Sequence, residues 1–149
     1  MSKNKLQLKL VTPERLILEE MVEQVTLPTT EGEITILPEH IPIVSGLLSG
    51  DITAVSDNEF IPMAVSGGFV EIRKNKDGIT EVAILADFAE HVADITDEEI
   101  EKAKARSAEL QKLAENKEVV DFEHFATELE RSLTRVKIAD KWRNKKYRK

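Results

Sequence analysis

The chain has no cysteine among its 149 residues, which excludes a disulfide framework, a thiolate metal site and a thiol nucleophile. Glycine and proline are missing from everything after Gly78: all six glycines and all five prolines fall between Pro13 and Gly78. That one-sided distribution predicts a turn-rich sheet region followed by a helical one. No apolar stretch approaches the about 18 residues of a membrane-spanning helix, and the opening MSKNKLQLKL holds no apolar run of signal-peptide length. The expectation is a soluble protein made in the cytoplasm. Neither GxxxxGKS/T nor GxGxxG occurs, so no phosphate loop is expected. His40, His91 and His124 are dispersed, and none has a second histidine at ligand spacing, so no metal site is expected. No Ser, His and Asp grouping emerges, and runs such as Asp97-Glu98-Glu99 and Glu19-Glu20 read as solvated faces or helix starts. No catalytic residue is assigned.

The net charge of −7 is unevenly spread. Residues 1–95 carry 7 basic and 16 acidic side chains, residues 96–130 carry 5 and 11, and residues 131–149 carry 9 and 1. An acidic body argues against a nucleic-acid binder, whose affinity comes mainly from neutralising phosphates. The basic tail is a separate matter: like charges at helical spacing repel, so it needs an acidic partner nearby.

Residues 5–11 alternate polar side chains with Leu6, Leu8 and Leu10, the period of a half-buried strand. Further strands are expected at 15–19, 21–27, 33–36, 43–48, 51–56, 60–65, 69–74 and 80–85. Turn signals at Glu31-Gly32, Asp57-Asn58, Ser66-Gly67-Gly68 and 75–78 separate most of them. Many short strands without helical period between them predict an antiparallel β-sandwich. Between two of them, Pro38 and Pro42 flank Glu39-His40-Ile41 and stiffen a short loop that presents the His40 imidazole.

The helical region opens on Thr96 with Glu99 three residues later, a capping box, and Ile95 and Ile100 are placed as its hydrophobic staple. Ile100, Ala103, Ser107, Leu110 and Ala114 mark one narrow face, bordered by Leu113. A turn is expected at Glu115-Asn116-Lys117-Glu118 and the next N-cap at Asp121. Phe122, Phe125, Ala126, Leu129, Leu133, Val136 and Ala139 then line one face of a second helix, which Trp142 continues. Two helices joined this closely predict an antiparallel hairpin. The domain reading is therefore a sandwich over 1–94 and a hairpin with a basic tail over 95–149.

Gly32, Glu33, Ile34, Ile36, Pro38, His40, Pro42, Leu47 and Gly50 form a pattern that resembles the N-terminal domain of epsilon subunits of bacterial F-type ATP synthases. Val25, the run from Ser66 to Ile72, Ile84-Leu85-Ala86-Asp87 and the helical region extend the resemblance over nearly the whole chain. Thr35 and Glu39 stand where the family usually has glycine, and Ile41 where it has a small residue.

The resemblance implies a flattened β-sandwich followed by a two-helix hairpin, in a non-catalytic central-stalk subunit. Its implied partners are a gamma subunit, the polar loops of the c-ring, and the alpha/beta catalytic head, which the hairpin reaches as a brake on ATP hydrolysis. Nucleic acid is not among them, and the membrane is met only through the complex, at its cytoplasmic face. Carried over, the loop 30–42 with Glu31, Glu33 and His40 faces the c-ring, while Arg131, Arg135, Lys141 and Trp142 belong to the regulatory hairpin and tail. Some relatives bind ATP through Ile-Asp-x-x-Arg-Ala at the start of the first helix and two arginines on the second. Here Thr96, Glu99 and Ile100 replace the Asp, Arg and Ala, although Arg131 and Arg135 match the second pair. A glutamate in place of a phosphate-binding arginine reverses the sign of the contact, so at most a weak ATP contact at Arg131 and Arg135 is implied, and no cofactor. Two other readings are a free-standing nucleotide-sensing module that uses these arginines, and an adaptor whose basic tail docks on anionic lipid or nucleic acid.

Overall fold

The computed structural model describes residues 5–115 and 122–149. Eight strands come first: β1 (Leu6–Val11), β2 (Leu16–Val22), β3 (Gln24–Thr29), β4 (Gly32–Ile36), β5 (Ile43–Leu47), β6 (Gly50–Ser56), β7 (Glu59–Lys74) and β8 (Thr80–His91). A single 3-10 turn, Val92–Asp94, leads to helices α1 (Asp97–Glu115) and α2 (Phe122–Trp142). The order of hydrogen-bonded strands is β2-β1-β8-β7-β5-β3-β4, with β6 pairing to both β3 and β7. This is the expected sandwich followed by two helices.

Alternation drives the layer. Leu6, Leu8 and Leu10 are fully buried, as are Val25 and Leu27 on β3 and Val82 and Ile84 on β8, and they share one core with Ile36, Ile52, Met63 and Ile72. At about 25 cal/mol per Å2 of apolar surface removed from water, such side chains supply the main driving force for the sandwich.

Two features depart from the expectation. First, the sheet is mixed: β1 lies parallel to β8, with Leu8 opposite Val82 and Leu10 opposite Ile84. Hairpin logic fixes direction only for strands that follow one another, and these two are far apart in sequence. Second, Ser66-Gly67-Gly68 does not reverse the chain. Gly67 and Gly68 have φ of 66° and 124°, yet β7 runs through them without a break. Before the pair β7 bonds to β6, and after it to β5, so the glycines bend one strand to serve both layers. At Gly68 a Cβ would sit 2.0 Å from the Leu85 carbonyl oxygen, which leaves room for glycine alone.

The capping box at the start of α1 is formed in both directions. The Glu99 amide donates to Thr96 Oγ1 at 3.1 Å and the Thr96 amide to Glu99 Oε2 at 2.9 Å. Ile100, Ala103, Ser107 and Leu110 are buried as the periodicity predicts, but Ala114 is exposed. On α2 the buried residues are Phe125, Thr134, Ile138, Ala139 and Trp142, while Leu133 is 43% exposed. The single stripe of the sequence reading is thus corrected: α2 serves two partners, α1 and the sandwich. Ile138 and Trp142, one turn apart, form a second small core with Ala64 and Val92. The expected residues 116–118 of the turn, the Asp121 cap and the Phe122 side chain lie outside the described residues.

Candidate functional site

The loop expected to form one foot is divided by a strand. Glu31 sits at the β3–β4 turn, where Thr29 Oγ1 accepts from the Glu31 amide at 3.1 Å and donates to the Gly32 carbonyl at 2.6 Å. Glu33 is exposed on β4. His40 lies beyond the other end of that strand, whose five residues span about 16 Å. Its ring Nδ1 donates to the Ile41 carbonyl at 2.7 Å, which requires the proton on Nδ1 and leaves Nε2 as the acceptor in the neutral ring. Next to it Glu39 adopts a left-handed φ of 74°. Its amide donates to Thr80 Oγ1 at 2.8 Å and its carboxylate meets Lys74 Nζ at 2.7 Å. The glycine usual in the resembling family is explained by that φ.

An apolar row crosses the outer face of the sheet. Phe69 on β7 lies directly opposite Leu85 on β8, and these are 64% and 61% exposed. Leu85 faces Val11 on β1, which faces Leu16 on β2, itself 50% exposed. On β5, Val44 adds a further side chain 73% exposed. The sequence reading missed this row because Leu85 sits between the buried Ile84 and Ala86, Phe69 precedes the buried Val70, and Leu16 opens the apolar run Leu16-Ile17-Leu18. Only the register tells the two faces apart.

The structure brings Arg131 and Arg135 together on α2 against β8. The Arg135 guanidinium forms a forked pair with Glu90 at 2.5 and 3.0 Å and reaches Glu99 at 3.9 Å. Its pKa is raised, first by the hydrogen bonds to Glu90 and against the cost of burial. Arg131 stacks over the Phe88 ring at 5.3 Å, and its Nε is buried without a hydrogen-bond partner. With His124, Thr127, Glu128 and Ser132, these residues line a cavity of about 240 Å3. Arg106 on α1 grips Glu128 at 2.6 and 3.0 Å, which holds that carboxyl below its usual range.

Lys141 and Trp142 converge on one oxygen. Asp51 Oδ2 accepts from Lys141 Nζ at 2.8 Å and from Trp142 Nε1 at 2.9 Å. The acidic partner that the basic tail requires is therefore present in the chain itself, in Asp51 and Glu90 of the sandwich. The signal was the opposite sign of the two charge sectors, which a linear sequence does not convert into pairs. Among the described residues no group of three or more His, Cys, Asp or Glu side chains could hold a metal ion. No helix there is long and apolar enough to cross a membrane.

Residues 5–92 match the family described as ATP synthase, Delta/Epsilon chain, beta-sandwich domain. An ATP synthase epsilon chain of Nitratidesulfovibrio vulgaris is 39% identical over 133 residues, covering 89% of this chain and 94% of that one. One from Dehalococcoides mccartyi is 38% identical over 145 residues, covering 93% and 95%. Among solved structures, a chain of the Euglena gracilis mitochondrial ATP synthase superimposes with a TM-score of 0.62 at 24% identity, covering 88% of this chain and 79% of that one. That last likeness speaks to the fold.

Proposed function

The chain belongs to the epsilon subunits of F-type ATP synthase, and from that membership we propose that it is a non-catalytic subunit of the central stalk of a proton-translocating enzyme. The sandwich binds a gamma-type subunit and faces the polar loops of the c-ring. The α1–α2 hairpin restrains ATP hydrolysis by the alpha/beta head. The protein works at the cytoplasmic face of the membrane, held there through the complex.

The observation that carries this reading, beyond membership, is the row Phe69, Leu85, Val11 and Leu16. An apolar row left open on a sheet face is the signature of a protein-binding surface, and it lies on the domain that matches the family. The c-ring side draws on Glu31, Glu33 and His40, of which the first two are exposed acids at or beside a tight turn. Affinity-tagged chain expressed in its own cells should bring down a gamma-like subunit from membranes. Replacing Phe69 and Leu85 together by Glu should abolish that recovery while the purified chain keeps its sandwich spectrum. Recovery unaffected by the double substitution would remove this face from the interface, and no recovery by the unmodified chain would remove the stalk reading.

A second reading, nucleotide sensing at the hairpin, draws on the unpartnered Nε of Arg131 beside its cavity. Against it, the Arg135 guanidinium is occupied by Glu90 and the cavity carries Glu128, so a polyphosphate meets carboxylates as well as a cation. Titration of the isolated chain with ATP decides: saturable binding at micromolar nucleotide favours sensing.

A further inference from the structure

We propose that residues 141–149 are a strap that holds the helical hairpin on the sandwich and lets go as ionic strength rises. The strap belongs to the chain alone and holds whether or not the chain sits in a rotor.

Its path begins where α2 ends. The Arg143 amide donates to the Asp140 carbonyl at 3.4 Å and the Lys145 amide to the Trp142 carbonyl at 3.2 Å, closing a turn that directs the chain back along the sandwich. The strap then meets three different strands. On β6, Asp51 receives Lys141 and Trp142 on one oxygen. On β7, the Phe60 carbonyl accepts from the Arg148 amide at 2.8 Å. On β2, Glu20 Oε1 accepts from Arg148 Nη1 at 2.7 Å.

The β7 contact has a reason in the sheet. Strand β8 ends at His91, opposite Met63, so the edge of β7 from Glu59 to Pro62 has no β8 partner. Pro62 cannot donate along that edge, and the strap supplies a donor for Phe60. Side chains close over the same place: Trp142 packs edge-on against Phe60 at 5.8 Å and against Tyr147 at 5.9 Å. Trp142 is 4% exposed as a result.

The charges make the strap sensitive to salt. The Asp51 side chain is 11% exposed and pairs with the cation Lys141. At Glu20, the second oxygen Oε2 is buried with no hydrogen-bond partner, so among the described residues Arg148 is the one cation paired with that carboxylate. The Lys141 and Arg148 side chains are 44% and 33% exposed, which leaves both ion pairs open to screening over about 8 Å at physiological ionic strength. Further along α2, the forked Arg135–Glu90 pair, the Arg131–Phe88 stack and the apolar contact of Ile138 and Trp142 with Ala64 and Val92 also hold the helix on the sandwich. Screening by sodium chloride acts on the charged pairs and not on the apolar contact, so the pairs set the salt dependence.

Trp142 is the single tryptophan, so its emission and its quenching by acrylamide read the strap in the intact chain. The unmodified protein should keep Trp142 protected at low salt and lose much of that protection at about 1 M sodium chloride, where the screening length falls to about 3 Å. Asp51→Asn and Arg148→Glu should each expose Trp142 already at low salt. A charged hydrogen bond shifts the docked-to-free ratio by about tenfold or more. Arg148 lies outside every helix and strand, so its substitution leaves the sandwich folded, and the exchange Glu20→Arg with Arg148→Glu should restore protection. Trp142 equally shielded in both single variants at low and high salt overturns the strap. Failure of the exchange to restore shielding overturns the Glu20–Arg148 anchor.

Discussion

Glu99 and Arg135 meet at 3.9 Å between α1 and α2, and the same Glu99 carboxylate accepts from the Thr96 amide that it caps. One side chain thus closes the start of a helix and adds a second acid to an arginine that Glu90 already holds. An arginine at that position would face Arg135 with like charge. Glutamate here suits a hairpin held by pairs within the chain.

The cap predicts a measurable cost. Thr96→Ala should lower the stability of the helical part by about 1 kcal/mol. Thr96→Ala with Glu99→Ala should cost less than the sum of the single changes, because the two bonds form one reciprocal unit. Denaturant titration followed at the helical circular dichroism signal measures both; strict additivity would mean that the Arg135 contact, and not the box, is what Glu99 contributes.

Gly68→Ala should prevent folding of the sandwich. The added methyl meets the Leu85 carbonyl oxygen at 2.0 Å and the Ala86 Cα at 2.8 Å, both backbone atoms that cannot swing aside, and φ is 124°. The expected loss exceeds about 3 kcal/mol, in the range reserved for overpacking and special backbone positions. Gly78→Ala is the matched control: its φ is 75° but nothing lies within 4 Å, so it should cost only about 1 kcal/mol of backbone strain. Equal melting temperatures for the two variants would refute the argument.

Much of this architecture was legible because it is local. The alternation of Leu6, Leu8 and Leu10 names a buried face before any strand is paired, and Thr96 with Glu99 names a helix start four residues long. What local pattern cannot carry is where distant segments meet. Gly67 and Gly68 have the positive φ that a turn demands, yet a bend within β7 demands it too, and only the positions of β5 and β6 distinguish the cases. Ile138 is buried against Ala64 and Val92, while Leu133 points to solvent. That face of α2 is chosen by the sandwich and not by its own periodicity. At the candidate sites, residue types were readable but grouping was not: Glu31 and His40 are close in sequence and separated by β4, while Asp51 and Trp142 are far apart in sequence and hydrogen-bonded.

Glu39→Gly should stabilise the sandwich or leave it unchanged. A non-glycine residue at φ of 74° carries about 1 kcal/mol or more of strain, which glycine removes. The ion pair with Lys74 that is lost joins side chains 68% and 47% exposed, and such pairs contribute about 0 to 1 kcal/mol. The amide bond to Thr80 Oγ1 survives the change because it is made by the backbone. Thermal unfolding of the two proteins compares the terms, and a clear drop in the midpoint for the variant would show that the Lys74 pair outweighs the strain.

The tie between Arg106 and Glu128 makes the hairpin sensitive to acid. Hydrogen bonds from Arg106 lower the Glu128 pKa from its ordinary 4.5, and burial opposes them only in part. Arg106 is pushed upward by the same bonds and stays charged throughout the accessible range. A carboxylate whose folded pKa is depressed contributes stability that is complete above its unfolded pKa and is lost as pH falls through the depressed folded value. The contribution is therefore constant across neutral pH and disappears only in acid. Both side chains are partly open to water, 41% and 32% exposed, so added salt should shrink it at every pH. Glu128→Gln keeps the shape of the side chain and removes the titration. The helical unfolding midpoint of the variant should lie below that of the unmodified chain at neutral pH and converge with it in acid. A gap that persists undiminished in strong acid would mean that the contact holds through packing and not through charge.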